Sequence, residues 1–470
     1  MYHLPDGLPP GSRTVWSQLS LQPLAAQPLT PFSYSTLDEV AKSAWYQYFD
    51  ELDFDPMPRA RVLRQHQGRA YLNLTLSAQC DADQAAIEPL TLQVNGEPFA
   101  IAKWEKPGLL AGLKMSRNRK KVDRLLESYR QQMPAVSQKA ESWYRKTQDL
   151  RWTQADILQV MEEIERVGIA SFKIFLAARH NLELTYNRLL WATHPAQPFP
   201  ANVPFIQAAL GDLEEGVELH IAEELLILGE SVAKDPATVA WLQAKNYADW
   251  PTTLPNPKLV ATVETFLHHY GHRCTNEGEI SHMRWQSDPS PLFAALLAYT
   301  QSTPKVPEKK ATAQSIQRLL NMVTTDQRKN VQAQLQQVRE LLLLQSQALH
   351  AFAYILAGTR RWAVAAAKEA QVDQRLRQTE EVFFFQLEEV KQMMTGEWNI
   401  SSRQEIHDTC DQRKVEYEQW CTQAHKEAGP TLFFGDTAAY PTHQGVPGTI
   451  GEATGEATGP LHLYNSYFFK

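Results

Sequence analysis

The sequence predicts a mainly α fold, made of multi-helical bundles with long helices and a small β insertion. Two observations carry this prediction. From Lys114 onward, apolar residues recur at the spacing of one helix face over most of the chain. Period-two alternation, which is typical of strands, is found in short stretches between residues 69 and 101.

Composition bounds the class of protein and its partners. The chain has 470 residues, is 43% hydrophobic and contains 12 Trp, which is enough for several compact units with apolar cores. The net charge of −7 argues against a dedicated nucleic-acid binder. Four scattered cysteines indicate neither a zinc ribbon nor a disulfide framework. With no uninterrupted apolar stretch long enough to cross a bilayer, we expect a cytoplasmic protein without a membrane partner.

The N-terminal hundred residues predict short elements. Pro28 and Pro31 predict an extended entry, and a helix is expected from Leu37 with Ser35 or Thr36 as its cap. Residues 69–76 alternate as a strand. Residues 90–101 are expected to form a hairpin around Asn95-Gly96, because Asn-Gly favours tight hairpin turns.

The remaining chain predicts helices separated by short loops. Thr153 is expected to cap a helix that continues to residue 191, and Asp235-Pro236 to start a short one. Further helices are expected at 203–228 with a break at 211–212, 259–269, 290–299, 313–371 with a break at 324–326, and 400–426 with Ser401 or Ser402 as the cap. Loops are expected at 251–257 and 303–311.

One loop concentrates polar chemistry directly after an amphipathic helix. Gly271 is expected to end this helix in the left-handed conformation that glycine tolerates. The residues around it are Tyr270, Gly271, His272, Arg273, Asn276, Glu277, Glu279, Arg284, Trp285, Asp288 and Pro289. Polar loops on a rigid helical support are common sites of function. The alternative is structural: His272 and Arg273 tie the helix end to Glu277 and Glu279.

This run resembles one in the rifampin phosphotransferase and phosphoenolpyruvate synthase group of PEP-utilising enzymes. There Tyr-Gly-His-Arg is followed by Glu-x-(Asp/Glu), Arg-Trp and Asp-Pro. The departures are Cys274 and Thr275 in place of Gly-Pro, Gly278 in place of an aliphatic residue, and Met283 in place of Pro. The resemblance implies that five residues bind the reacting end of a small-molecule acceptor: His272, Arg273, Glu277, Glu279 and Arg284.

Three other segments resemble parts of the same family, each with a departure. Trp16 and the prolines at 28 and 31 match the junction that follows the ATP-binding domain, but Ser20 and Pro23 replace its Asn and Glu. The helix at 345–350 lacks the family's Arg-Glu-x-x-Lys. Residues 454–463 resemble the opening of the phosphohistidine domain, or else form a low-complexity tail.

Two further patterns, a possible set of metal ligands and a basic run, each have a simpler interpretation. Glu264, His268 and His272 lie four residues apart, and Glu279-x-x-His282 has the spacing found in di-iron bundles, but no second copy exists. No metal site is therefore expected. The basic run at 117–124 is either a polyanion site or, as such runs more often are, a solvated helix face.

These observations predict a stand-alone acceptor-binding component of a split or degenerate dikinase-type phosphotransferase. No catalytic residue and no cofactor is expected in this chain, because ATP and Mg²⁺ would bind separate ATP-grasp and phosphohistidine chains. The alternatives are a non-catalytic binding or regulatory protein with this fold, or a truncated gene product. The expected domains are a flexible 1–15, an N-terminal part 16–112, a helical acceptor-binding domain 113–428, and a linker with a truncated phosphohistidine-like start at 429–470.

Overall fold

The computed structural model describes residues 2–4, 14–54, 59–85, 87–104, 108–196, 201–210, 216–301, 309–396, 402–427 and 429–441. Within these residues the protein is mainly α with a small amount of β structure, as predicted. The predicted break at 211–212, most of the loop at 303–311 and the phosphohistidine-like segment at 454–463 lie outside the described residues.

The helices, in chain order, are α1 (Pro31–Glu51), α2 (Leu74–Cys80), α3 (Leu109–Asp149), α4 (Gln154–Thr193), α5 (Val203–Ala209), α6 (Val217–Ala233), α7 (Pro236–Gln243), α8 (Trp250–Thr253), α9 (Pro257–Tyr270), α10 (Ser290–Gln301), α11 (Lys309–Met322), α12 (Thr325–Val372), α13 (Leu387–Thr395) and α14 (Arg403–Lys426). The strands are β1 (Tyr2–His3), β2 (Val15–Ser17), β3 (Leu63–His66), β4 (Arg69–Asn73), β5 (Thr91–Val94), β6 (Glu97–Ala100), β7 (Leu432–Phe434) and β8 (Thr437–Pro441).

The chain divides into two compact units built from non-contiguous segments. Unit 1 comprises Met1–Asn187, Gly278–Ser281 and Gln347–Gln444. Among the described residues, unit 2 comprises Arg188–Glu277 and His282–Ser346. The predicted domain limits at 15, 112 and 428 follow a different criterion and stay predictions.

Unit 1 has an aromatic core formed by its long helices. Phe32 of α1 stacks on Trp362 of α12, with ring centroids 6.2 Å apart, and Phe172 of α4 meets Phe352 at 4.7 Å. The indole of Trp362 donates to the carbonyl of Ile157 at 2.9 Å, so its one polar atom is satisfied in the core. These aromatic residues are therefore core residues of unit 1.

A sheet in unit 1 joins segments that are distant in sequence. Its strand order is β3-β4-β2-β7-β8-β1-β5-β6. The β5–β6 hairpin turns at Asn95 (φ 52°) and Gly96 (φ 87°), which confirms the turn predicted from Asn-Gly. The predicted strand at 69–76 ends earlier, since Asn73 caps α2 by accepting from the N–H of Leu76. Strands β7 and β8 were not predicted.

Unit 2 surrounds a second apolar core. Its helices α6, α7, α9 and α10 contribute buried side chains that include Leu225, Leu242, Phe266 and Phe293. The side chain of Asp235 accepts from the N–H of Ala237, which confirms the predicted start of α7. The predicted loop at 251–257 contains the helical turn α8, because Pro251 suits the first turn of a helix.

Helix boundaries elsewhere follow capping chemistry. Thr153 and Asp156 exchange hydrogen bonds at the start of α4, as predicted. Ser402, one of the two predicted caps of α14, forms a capping box with Glu405. The predicted start of α1 at Leu37 is wrong: α1 begins at Pro31, with Thr30 as its cap. Proline suppresses a helix interior but favours the first helical position.

One helix, α12, is long and apolar enough to pass a test for membrane spans based on length and composition. The most apolar segment of α12 is largely buried inside the structure. Buried core helices also pass this test.

Candidate functional site

Helix α9 supports the loop that the sequence singled out. Asn256 caps this helix by accepting from the N–H groups of Lys258 and Leu259, and Pro257 occupies its first position. Phe266 and Leu267 face the core of unit 2, so the last turn of α9 is fixed by packing.

Gly271 ends α9 in a right-handed conformation, with φ −64°, so the predicted left-handed cap is wrong. Space rather than backbone angle accounts for the glycine. A Cβ at this position would lie 2.2 Å from the carbonyl oxygen of Leu267 and 2.5 Å from the side-chain oxygen of Gln286. The loop therefore returns against the helix end more closely than any side chain would allow.

Two backbone hydrogen bonds close this part of the loop. The N–H of Trp285 donates to the carbonyl of Arg273 at 2.9 Å, and that of Gln286 to the carbonyl of Gly271 at 2.8 Å. The Trp285 ring stacks on Phe266, with centroids 6.1 Å apart. Arg273 and Arg284 are consequently held at the two ends of a closed, rigid loop.

The charged side chains of this loop form a buried cluster in unit 2. Arg273 Nε donates to Glu277 Oε1, and Arg273 Nη2 lies 3.5 Å from Glu218 Oε1 in the first turn of α6. Glu218 Oε2 accepts from Ser346 Oγ. Arg273, Glu277 and Arg284 are each at most 4% exposed. Ion pairs so fully buried are costly unless each charge has a partner, and here two guanidinium groups face two carboxylates.

Arg284 has weaker ion pairing in this cluster than Arg273. Its Nη1 donates to Cys274 Sγ at 2.6 Å and to the carbonyl of Glu277 at 3.2 Å, and lies 3.6 Å from Glu277 Oε2. Burial raises the pKa of the Cys274 thiol to about 12, despite the opposing charge of Arg284. The thiol is therefore neutral near pH 7 and does not offset the charge of the guanidinium group.

Glu279 lies in unit 1 and has a different environment. Its carboxylate accepts from the N–H of Thr30 at 2.7 Å, from the Thr30 hydroxyl at 2.9 Å, from the Ser33 hydroxyl at 2.7 Å and from the N–H of Ser281 at 2.9 Å. Thr30 and Ser33 belong to the N-terminus of α1, where unsatisfied N–H groups and the helix dipole favour an anion. Glu279, which is fully buried, therefore supplies a fixed negative charge to α1.

The structure thus sorts the five predicted residues into two groups. Arg273, Glu277 and Arg284 come together in unit 2. His272, which precedes Arg273 in the sequence, is also buried in this unit. Glu279 belongs to unit 1. The pairing of Arg273 with Glu277 matches the structural interpretation of the loop. The assignment of these residues to acceptor binding stays a prediction.

The possible metal-ligand face does not extend along one helix. Glu264 and His268 are exposed on α9, while His272 follows the end of that helix and is buried. In the described part of the chain, Glu381, Cys410 and Asp411 of unit 1 are close enough to share a metal ion. Arg377, however, donates to both carboxylates, and its charge takes the place that a cation would have.

A cleft of about 430 Å³ lies in unit 1, and none of the five predicted site residues is among the residues that line it. It is lined by Gln47, Glu162, Glu165, Arg166, Ile169, Ala170 and Lys173. Two of its charged groups are already partnered, because Lys173 pairs with Glu51 and Glu165 accepts from Ser43 at 2.9 Å. Its lining gives it no clear selectivity for an anion or a cation.

Sequence reasoning missed the partners that complete both groups. Glu218 and Ser346 are far from the loop in sequence, and no local spacing connects them to Arg273. Thr30 and Ser33 could have been found, because Thr-Pro at the start of an apolar helical pattern is typical of a capped helix.

Comparison with known proteins identifies the region around the loop. Residues 170–345 match the model of the rifampicin phosphotransferase fourth domain. The matched region includes α9, the loop and the Glu218 carboxylate. No curated protein matches the chain. Residues 170–345 are thus similar to the fourth domain of rifampicin phosphotransferase, which is consistent with the family resemblance of the sequence.

Proposed function

We propose that this chain is the acceptor-binding component of a split ATP-dependent phosphotransferase. In this proposal, separate ATP-grasp and phosphohistidine chains supply the nucleotide chemistry, and the helical part of this chain holds the acceptor. The carrying observation is the buried, pre-organised group of Arg273, Glu277 and Arg284 within the region that matches the family model.

The physical support is the chemistry of that group. Phosphoryl transfer depends on positioning and on fixed positive charge near the transferring group. Arg273 and Arg284 are held by a closed loop on a packed helix, so little reorganisation is needed when a ligand binds. No glycine-rich phosphate loop with a following Lys is present in the sequence, which is why ATP binding is assigned to other chains.

Reconstitution tests this function. The chain is mixed with the separately produced ATP-grasp and phosphohistidine domains of a rifampicin phosphotransferase and a panel of hydroxyl- and carboxylate-bearing acceptors. We expect AMP release that depends on both the acceptor and this chain. An Arg273→Lys variant should release AMP at least about tenfold more slowly, because lysine lacks the planar fork of arginine.

The matched control is Arg361→Lys in unit 1, whose guanidinium group donates to the carbonyl and hydroxyl of Tyr144 and to the hydroxyl of Thr147. It should leave AMP release unchanged. ATP turnover by the isolated chain would contradict the proposal, and so would equal AMP release with and without this chain.

A non-catalytic binding or regulatory protein is the second candidate. The observation in its favour is that Arg273 and Glu277 satisfy each other, which a purely structural loop would also require. Gln345 and its neighbours, where the family resemblance expects Arg, Glu and Lys, point the same way. In this case no acceptor supports AMP release in the reconstituted mixture, although the chain folds normally.

A further inference from the structure

Arg284 has a buried edge that its neighbours do not use. The Nε and Nη2 atoms have no hydrogen-bond partner among the residues that the structure describes, although Arg284 is only 4% exposed. Its contacts with Cys274 and Glu277 all involve Nη1. A buried N–H group without a partner destabilises the folded state, because it has lost its hydrogen bonds to water. An arginine that keeps two of them on one edge is therefore incomplete as a purely structural element.

The geometry of that edge selects a type of ligand. The Nε–H and one Nη2–H of a guanidinium group are parallel and match the two oxygens of a carboxylate or phosphoryl group. Two other buried donors of the same loop, Asn276 Nδ2 and Trp285 Nε1, likewise have no partner within the described residues. Two carboxylate oxygens of the cluster, Glu277 Oε2 and Glu218 Oε1, also have no hydrogen-bond partner within the described residues. The Nε–Nη2 edge of Arg284 can only donate, so the partner that completes it is an acceptor of hydrogen bonds.

The charges of the cluster favour an oxyanion at Arg284 over one at Arg273. Arg273 has a direct bond to Glu277 and a second carboxylate, Glu218, at 3.5 Å. Arg284 shares Glu277 at 3.6 Å and otherwise contacts a neutral thiol and a carbonyl. The positive charge of Arg284 is therefore less completely balanced than that of Arg273. An additional anion would stabilise Arg284 more than it would stabilise Arg273.

We propose that the Nε–Nη2 edge of Arg284 binds the carboxylate or phosphoryl oxyanion of a small acceptor as a bidentate pair. This inference rests on the proposed function, since it assigns one chemical group of the acceptor to one residue. Because Arg284 is buried, we expect the group that reaches this edge to be small.

Titration of the whole 470-residue chain tests the inference without partner chains or ATP. Formate, acetate and inorganic phosphate are each titrated by calorimetry at constant ionic strength, with chloride as the balancing anion. We expect saturable binding at one site. Arg284→Lys should weaken it about tenfold or more, because the bidentate pair is lost. Tighter binding of formate and acetate would indicate a carboxylate acceptor, and tighter binding of phosphate would indicate a phosphoryl group.

Arg179→Lys is the matched control. Arg179 is 8% exposed, but its Nε donates to Glu183 at 2.8 Å and its Nη2 to the carbonyl of Leu19 at 3.0 Å, so its edge is occupied. This variant should bind the oxyanions as the parent does.

A second measurement covers the case in which Arg284→Lys does not fold. In the parent chain labelled with ¹⁵N-arginine, the Nε–H resonance of one arginine should move saturably with the same affinity. Absence of saturable binding by all three anions would overturn the inference, and unchanged binding in Arg284→Lys would do so as well. Neither result depends on AMP release, so the failure of this inference and the failure of the proposed function are distinguishable.

Discussion

Glu279 is fully buried at the N-terminus of α1, and its carboxylate accepts hydrogen bonds from Thr30, Ser33 and Ser281. The Ser33 hydroxyl also accepts from the N–H of Ile280 at 2.8 Å, so donor and acceptor groups alternate through the contact. The family resemblance implies that Glu279 binds the acceptor, but in the structure its hydrogen bonds give it a structural role. Two of its partners, Thr30 and Ser33, are about 250 residues away in the chain, which is why spacing alone could not reveal them.

Replacement of Glu279 by alanine should destabilise unit 1 strongly. The change leaves the four donors of Glu279 buried without an acceptor, and we expect the free energy of unfolding to fall by about 3 kcal/mol or more. Urea denaturation followed by circular dichroism measures this change. Glu264→Ala, on the exposed face of α9, is the control and should alter the free energy of unfolding by less than about 0.5 kcal/mol. A Glu279→Ala variant as stable as the parent would contradict the structural role.

At the scale of elements, the helices that combine long periodic patterns with capping residues were predictable. The Thr153–Asp156 and Ser402–Glu405 pairs were visible in the sequence and start α4 and α14. Helix α1 was misplaced because Pro31 was interpreted as a helix breaker rather than as a first residue. The predicted left-handed conformation of Gly271 is also wrong, since the need for glycine comes from the nearby Leu267 carbonyl and the returning Gln286 and not from the backbone angle.

Gly271→Ala tests how closely the loop returns to the end of α9. A methyl group within 2.2 Å of the Leu267 carbonyl must displace backbone, so we expect a loss of about 1–3 kcal/mol in the free energy of unfolding. Thermal denaturation of both variants measures the change. The control is Gly112→Ala in α3, where a Cβ would meet no atom within 4 Å; it should stabilise the protein by up to about 1 kcal/mol. The opposite order of stabilities would show that the loop is not packed in this way.

At the scale of the whole molecule, the fold class and the small β insertion near 69–101 were predictable, whereas the long-range pairing of the strands was not. Helical periodicity is local, so the mainly α class followed from the sequence. The sheet instead pairs β2 with β7 and β1 with β8, which joins the two ends of the chain. Such pairings depend on contacts between remote segments, and the short strands carry little pattern of their own. The candidate site follows the same rule: its loop was found, but Glu218 was not.

The charge of the whole molecule bears on the basic run at 117–124, for which two interpretations were open. Arg117, Arg119, Lys120 and Arg124 are exposed on α3, but the chain as a whole carries a net charge of −7 and has a pI near 6.1. Above that pH the negative field of the molecule repels a polyanion, and below it the sign reverses.

Near pH 7.5 and about 150 mM salt, we therefore expect no retention on heparin and no shift of a single-stranded RNA probe. Near pH 5, weak and salt-sensitive binding should appear. The double variant Arg117→Glu, Arg124→Glu is the control: if the run is a solvated face, it elutes with the parent at pH 7.5, whereas a specific polyanion site would show tight binding by the parent that this variant loses.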